Sequence, residues 1–428
     1  MVAIVGRIGG IYRKEYEKNP VFTLFLTILL AFFIIYVVLA VITVGSTFYY
    51  SLYWDRNDMF MDHFNSMAQS LDHPYTKFFV IYPPLMTVFY AALGNITMPF
   101  VDVSAGTHTV AEMMRETQIG LMFLLMIIVL TFYALYLVFS KLIKEEGVRK
   151  ELMFLLLVLL AYPFMYAVER GNSVLIALVF CFVFLLGYRS ENKFIRYASY
   201  IALGCATGFK LYPVILLLLI IRDRNYKEAG ICALIVAALL FIPFIFTDGN
   251  PLIFLDNVLS NTGSPNTYGF INFNQLAFGI VRDILGLSAG AAAVVSYAVI
   301  GVFTLLSFIV ILFDKEMKFW KVVALISCNI ILGLGIGTIY QIVYMLLPIL
   351  YFLSAEKEMT KENKFYTICF AITMVLMPGI FHWIVNPAPI IGSIKAAFIM
   401  IIAGAILYEG IKRILRNRSE RKRAEAPA

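Results

Sequence analysis

The chain has 428 residues, of which 61% are hydrophobic and 14% charged, and it carries a formal net charge of +7. That balance excludes a soluble globular enzyme and describes a polytopic membrane protein, with no polar stretch long enough to bury a core of its own. The basic excess suits a face against anionic lipid, a reading preferred over nucleic-acid binding because the Lys and Arg residues sit in short loops between apolar runs.

The first apolar run, Val21 to about Gly45, is longer than the ~7–15 residues of a signal-peptide core and is expected to remain as a span. Further runs of membrane length lie at about 118–140, 151–168, 172–187, 228–246, 289–313, 319–337, 339–354, 366–384 and 389–409. The run 197–221 carries Lys210 and Pro213 near its middle. Each half is shorter than the ~20 residues a crossing needs, which predicts two short helices meeting at Lys210.

Most of the 34 Lys and Arg residues fall in the N-terminal arm, in alternate loops and in the segment Lys412 to Arg423. Placing them on the cytoplasmic side predicts an all-α membrane helix bundle of about 12 crossings (roughly 10–13) in the plasma membrane, with both termini cytoplasmic. Residues 1–410 form a single transmembrane domain and residues 411–428 a basic cytoplasmic tail. Residues 46–117 then make one long extracytoplasmic loop, in which Tyr82 to Gly94 lies as an interfacial helix. The five cysteines, Cys181, Cys205, Cys232, Cys328 and Cys369, lie inside apolar runs without metal-binding spacing, so free buried thiols are expected.

The chemistry-bearing residues fall on the outer side of this topology. Asp55, Asp58 and Asp62 follow spacings of three and four, so a helix through them puts three carboxylates on one face, an arrangement suited to a general base. His63 beside them lacks a second His at helical spacing, and no metal site is expected. Tyr82-Pro83-Pro84-Leu85 fixes two successive φ angles and forces an abrupt helix start. Glu169-Arg170-Gly171-Asn172 places two charges and a turn between apolar runs, where ionisable groups persist mainly if they pair or handle a substrate.

Seven basic residues lie outside the cytoplasmic set: Arg56, Lys77, Arg115, Arg170, Lys210, Arg282 and Lys395. Arg170, Lys210 and Lys395 are expected to line an anion pocket, with Tyr212 of Lys210-Leu211-Tyr212-Pro213 beside them and Glu169 orienting Arg170. The loop 247–275 adds amides, among them Asn274 and Gln275, that suit carbohydrate, and Tyr340 lies in another outer turn, a cavity lining with Tyr82 and Asn172. No Walker-type phosphate loop is present, so ATP is not expected as a direct energy source.

In the order of these motifs the chain resembles glycosyltransferase family 87, within the C superfamily of membrane glycosyltransferases. The matching segments are Asp58 to Asn65, Tyr82 to Leu85, Glu169 to Asn172 and Lys210 to Pro213, with Asn274-Gln275 similar to a later motif. The resemblance implies an inverting, metal-independent hexosyltransferase without a cofactor. It implies a mannosyltransferase-like enzyme that takes its sugar from a polyprenyl-phosphate donor to a lipid or glycan acceptor of the cell envelope, with Asp58 or Asp62 as base. Membrane lipids are the remaining partners. The rival function is transport or flipping of a lipid-linked or anionic substrate, which also needs intramembrane cations.

Overall fold

The computed structural model describes residues 13–52, 57–102, 108–262, 270–333, 338–378 and 387–424. Among these every regular element is helical, so the all-α expectation holds. Helix α1 (Pro20–Ile42) opens with Pro20 in its first turn, and the Asn19 side chain accepts the Phe22 amide at 3.2 Å. This pairing of a capping side chain with an N-terminal proline satisfies donors that a helix start leaves open.

The first loop contributes α2 (Met61–Gln69), α3 (Pro84–Thr97) and α4 (Val110–Glu116). The Pro-Pro pair starts α3 where the sequence predicts. A long helix α5 (Gln118–Leu142) follows, then α6 (Tyr162–Arg170), α7 (Val174–Gly187), α8 (Lys193–Phe209) and α9 (Tyr226–Phe241). The second half adds α10 (Ala289–Phe313), α11 (Phe319–Leu332), α12 (Lys361–Met374) and α13 (Pro387–Ala424). Helix α13 runs unbroken through residue 410, so its basic residues continue the same helix.

Five of the described helices are long and apolar enough to cross a membrane: Pro20–Ile42, Gln118–Leu142, Tyr226–Phe246, Ala289–Phe313 and Ile390–Glu420. A sixth is reached if Val148–Leu159 and Tyr162–Arg170, bent by 51° at their junction, count as one span. The twelve crossings expected from hydropathy are not reached by this measure, because polar and proline breaks divide several apolar runs into helices of 10–17 residues. A 14-residue helix such as α11 rises about 21 Å, short of a ~30 Å hydrocarbon core. The run 197–221 divides as predicted: α8 ends at Phe209, Lys210 is extended (φ −144°, ψ 124°), and a 3-10 turn at Tyr212–Leu217 follows.

The core is centred on α11, whose residues from Trp320 to Leu332 are all buried. A helix apolar on every face belongs inside a bundle. At its N-terminal end Lys321 pairs with Glu362 of α12 at 2.6 Å and with Glu409 of α13, and the Trp320 indole N–H donates to Glu356 at 2.8 Å. The cysteines are free, as expected, and all but Cys205 are buried.

Lys395 departs from its expected place. It is fully buried, and its ammonium donates to the carbonyls of Ile372, Thr373 and Val375 at 3.1, 3.0 and 2.8 Å. Three protons meet three carbonyls at the end of α12, so Lys395 satisfies orphan acceptors of a helix C-terminus and is not free to hold a ligand anion.

On the first-loop side, Asp248 fastens the segment after α9 to residues 73–76. Its carboxylate accepts the amides of Tyr75 and Thr76 at 3.1 and 3.0 Å and the Thr76 hydroxyl. Gly249 is required for this approach, since a Cβ there would lie 2.4 Å from the Tyr75 ring. Burial opposes the charged form of Asp248, but the Thr76 hydroxyl and the two amides outweigh it and hold the group below its ordinary 3.8. A folded-state pKa below the unfolded one stabilises above the unfolded value and is lost as pH falls through the folded value. The thermal midpoint of the detergent-solubilised protein is therefore expected to fall below about pH 4, and Asp248→Asn to flatten that acid limb while lowering the midpoint at neutral pH.

Candidate active site

The site grows from the end of α6. Gly171 closes the helix in the left-handed region (φ 64°), with its own amide donating to Val168 O and the Asn172 amide donating to Ala167 O, both at 2.9 Å. This closure accounts for the glycine in the Arg-Gly-Asn turn. The Asn172 side-chain oxygen then accepts the Val174 amide at 2.9 Å and starts α7.

The same turn is docked onto α2. A Cβ on Gly171 would stand 2.9 Å from His63 Cβ and 3.2 Å from the Phe60 carbonyl. The Phe60 amide donates to the Glu169 carbonyl at 2.7 Å, and Arg115 of α4 donates to the carbonyls of Asn57 and Met59 at 2.7 and 3.2 Å. Turn 57–60 is thus held from two sides. Gly171→Val meets both a left-handed backbone and a filled contact, so it is expected to destabilise the fold by about 2–3 kcal/mol or more. A lowered thermal midpoint together with lost activity is the outcome to measure.

The docking brings distant charges together. The Arg170 guanidinium pairs with the Asp58 carboxylate and, at 2.6 Å, with Asp62 Oδ1, while the Asn172 amide donates to Asp62 Oδ2 at 2.7 Å. The expected one-faced helix of three carboxylates is not what forms. Asp55 and Arg56 lie outside the described residues, Asp58 sits in the turn before α2, and Asp62 is in its first turn. Both described aspartates converge on Arg170, so ion pairing takes the place of mutual crowding. The Asp58 side chain is 38% exposed and that of Asp62 17%.

Lys210 completes the group. It is 6% exposed, and its ammonium lies 4.3 Å from the centre of the Tyr82 ring and 5.8 Å from that of Tyr340. The other described cations set apart from the basic loops are occupied: Lys77 pairs with Asp72, Arg282 with Asp283, Arg115 with carbonyls, Arg170 with carboxylates and Lys395 with a helix end. Lys210 alone among them meets aromatic faces with no carboxylate or carbonyl in hydrogen-bond contact. Asp62 lies within electrostatic reach of Lys210, Tyr82 and Tyr340. An anion entering here would complete a buried, desolvated cation.

The remaining predicted residues divide. Tyr340 belongs to the cluster and stacks on Tyr166 with ring centres 6.4 Å apart. Tyr212 turns its ring edge-on to Tyr344 at 5.3 Å. Asn274 and Gln275 sit on the short helix Phe273–Ala277, where Gln275 closes a capping box with Asn272 and Asn274 accepts the Ser296 hydroxyl at 2.8 Å. The bond to Ser296 ties that helix to α10. The His63 ring meets those of Phe64 and Tyr90 edge-on, and burial lowers its pKa to about 4, so it stays neutral. Among the described residues no three His, Cys, Asp or Glu side chains stand close enough to hold a metal ion.

Sequence inspection misses two members of this site. Arg115 is visible as an outer cation, but its task of clamping turn 57–60 depends on α4 crossing α2. Tyr166 carries no signal beyond its place four residues after Tyr162 on α6, with which it stacks.

The sequence model of glycosyltransferase family 87 matches residues 78–334. That range holds Tyr82, Glu169 to Asn172, Lys210, Tyr212, Asn274 and Gln275, and leaves Asp58, Asp62 and Tyr340 outside it. No curated protein and no solved structure matches the chain.

Proposed function

The chain belongs to glycosyltransferase family 87, and from that membership we propose that it moves a hexose, mannose in the first instance, from a polyprenyl-phosphate donor to a lipid or glycan acceptor on the extracytoplasmic side. It is a membrane glycosyltransferase. The observation that carries it is Lys210, a buried cation cradled by Tyr82 and Tyr340 beside the aspartates on Arg170.

In this mechanism the donor phosphate enters against Lys210, and the polyprenyl chain stays in the bilayer. The acceptor oxygen attacks the anomeric carbon while the Asp58 carboxylate takes its proton. The bond from that carbon to the phosphate oxygen breaks on the opposite face, with inversion, and the electron pair leaves on polyprenyl phosphate. Charge grows on the phosphate as the bond breaks, so a fixed cation there stabilises the transition state more than the ground state. Asp58 is the better base because it is the more exposed of the two and only one of its carboxylate oxygens is engaged, whereas Arg170 and Asn172 take both oxygens of Asp62. Asp62 acts through Arg170 and Asn172 as a positioning residue. The donor is already activated, so no nucleotide site is needed.

The test is transfer by the purified chain in nanodiscs, given radiolabelled polyprenyl-phosphate hexoses and a membrane lipid extract. Label is expected to move into a new glycolipid or glycan. If no hexose donor supports transfer while the labelled donor crosses the bilayer of proteoliposomes, the chain is a transporter and the enzymatic mechanism fails.

A further inference from the structure

A cavity of about 270 Å³ lies between the end of α2, the face of α3 and the segment after α9. It is separate from the cluster around Lys210, and none of the catalytic roles above uses it. Its polar wall is made by Ser70, Asp72, His73, Thr87, Thr247 and Asp248. The wall is built: Asp248 fastens residues 75 and 76, Asn257 donates to the Tyr75 carbonyl at 3.0 Å, and the Tyr75 hydroxyl meets Thr87 at 3.0 Å.

Three properties identify the occupant. The described lining holds two carboxylates, a histidine and three hydroxyls but no Lys or Arg, and the Lys77 ammonium bound to Asp72 is neutralised there, which favours a ligand rich in hydroxyl donors and disfavours a phosphate. The volume falls near the lower end of the ~300–1,000 Å³ common for small-molecule pockets, the scale of one or two sugar rings. Phe246 lines the cavity, is 74% exposed and ends a helix of crossing length, with Ile245 beside it 77% exposed. Apolar surface at a span end suits the anchor of an amphiphile.

Ser70 and Thr87 line the side of the cavity that faces the charged cluster. The same two residues line a narrow gap whose wall also includes Tyr82 and Tyr90, and Tyr82 carries Lys210. Resting on the transferase function proposed above, we propose that this cavity is an acceptor-holding subsite. It takes an uncharged sugar ring of a membrane-anchored glycolipid, one that is not the ring being glycosylated, and keeps the acceptor beside the reaction centre.

The probe is octyl α-D-mannopyranoside, below its micellar concentration, with the full chain in nanodiscs and binding read by saturation-transfer NMR on the sugar protons. Ala91→Trp fills the cavity from α3, and Thr247→Tyr fills it from the facing wall. Each is expected to weaken binding about tenfold or more with the thermal midpoint kept, whereas Lys210→Met leaves it within about twofold. Wild-type binding in both filled variants would overturn the subsite, as would equal competition by octyl sulfate, which has the same tail and an anionic head. No binding of the mannoside to the wild type overturns it as well. The donor site is tested separately, by polyprenyl-phosphate binding to Lys210→Met, so failure of one does not decide the other.

Discussion

Replacing Lys210 by methionine is expected to lower hexose transfer by about a hundredfold or more, the scale for removing one charged or hydrogen-bonding contact from a developing oxyanion. Methionine keeps the length and apolar stem that fill the space between Tyr82 and Tyr340, so the cradle persists and only the charge is removed. The stability of the same variant separates function from structure. A buried cation with aromatic faces and no paired carboxylate costs folding free energy, so Lys210→Met should melt at the same temperature as the wild type or above it. A residue retained for packing would give the reverse, a lower midpoint with activity falling in proportion. Transfer at wild-type rate in the methionine variant would remove Lys210 from the donor site.

Local chemistry was the most legible part of this chain. The Pro83-Pro84 start of α3, the break at Lys210 and the turn at Gly171 all follow from backbone restrictions within a few residues. Partnerships across the fold were not legible. Arg170 meets Asp58 and Asp62 over separations of 112 and 108 residues, and nothing in the spacing of the aspartates indicates that a guanidinium will neutralise them. In sequence Lys395 looks like the other cations expected on the outer side, but α12 ends beside it and supplies three carbonyls. Hydropathy also overstated the long helices: the runs 319–337 and 339–354 each read as a span, whereas the helices Phe319–Leu332 and Ile339–Ala355 have only 10–17 residues.

The two aspartates should separate in a second experiment, because they hold Arg170 in different ways. Asp58→Asn keeps a side-chain oxygen for the guanidinium, and the Asp58 carbonyl still accepts from it at 3.3 Å, so the turn is expected to survive. Losing the base should then cost about 10²–10⁴ in transfer rate with the thermal midpoint little changed. Asp62→Asn is different. It faces Arg170 with one oxygen and the Asn172 amide with the other, both in a largely buried setting. An amide there puts an N–H₂ against a donor whichever way it is turned, and the variant is expected to lose about 1.5–3 kcal/mol of stability along with activity. Comparison of transfer rates with thermal midpoints therefore assigns the roles. Were Asp58→Asn to retain transfer while Asp62→Asn lost it at an unchanged midpoint, Asp62 would be the base, and Arg170 would hold Asp58 only to fix the loop.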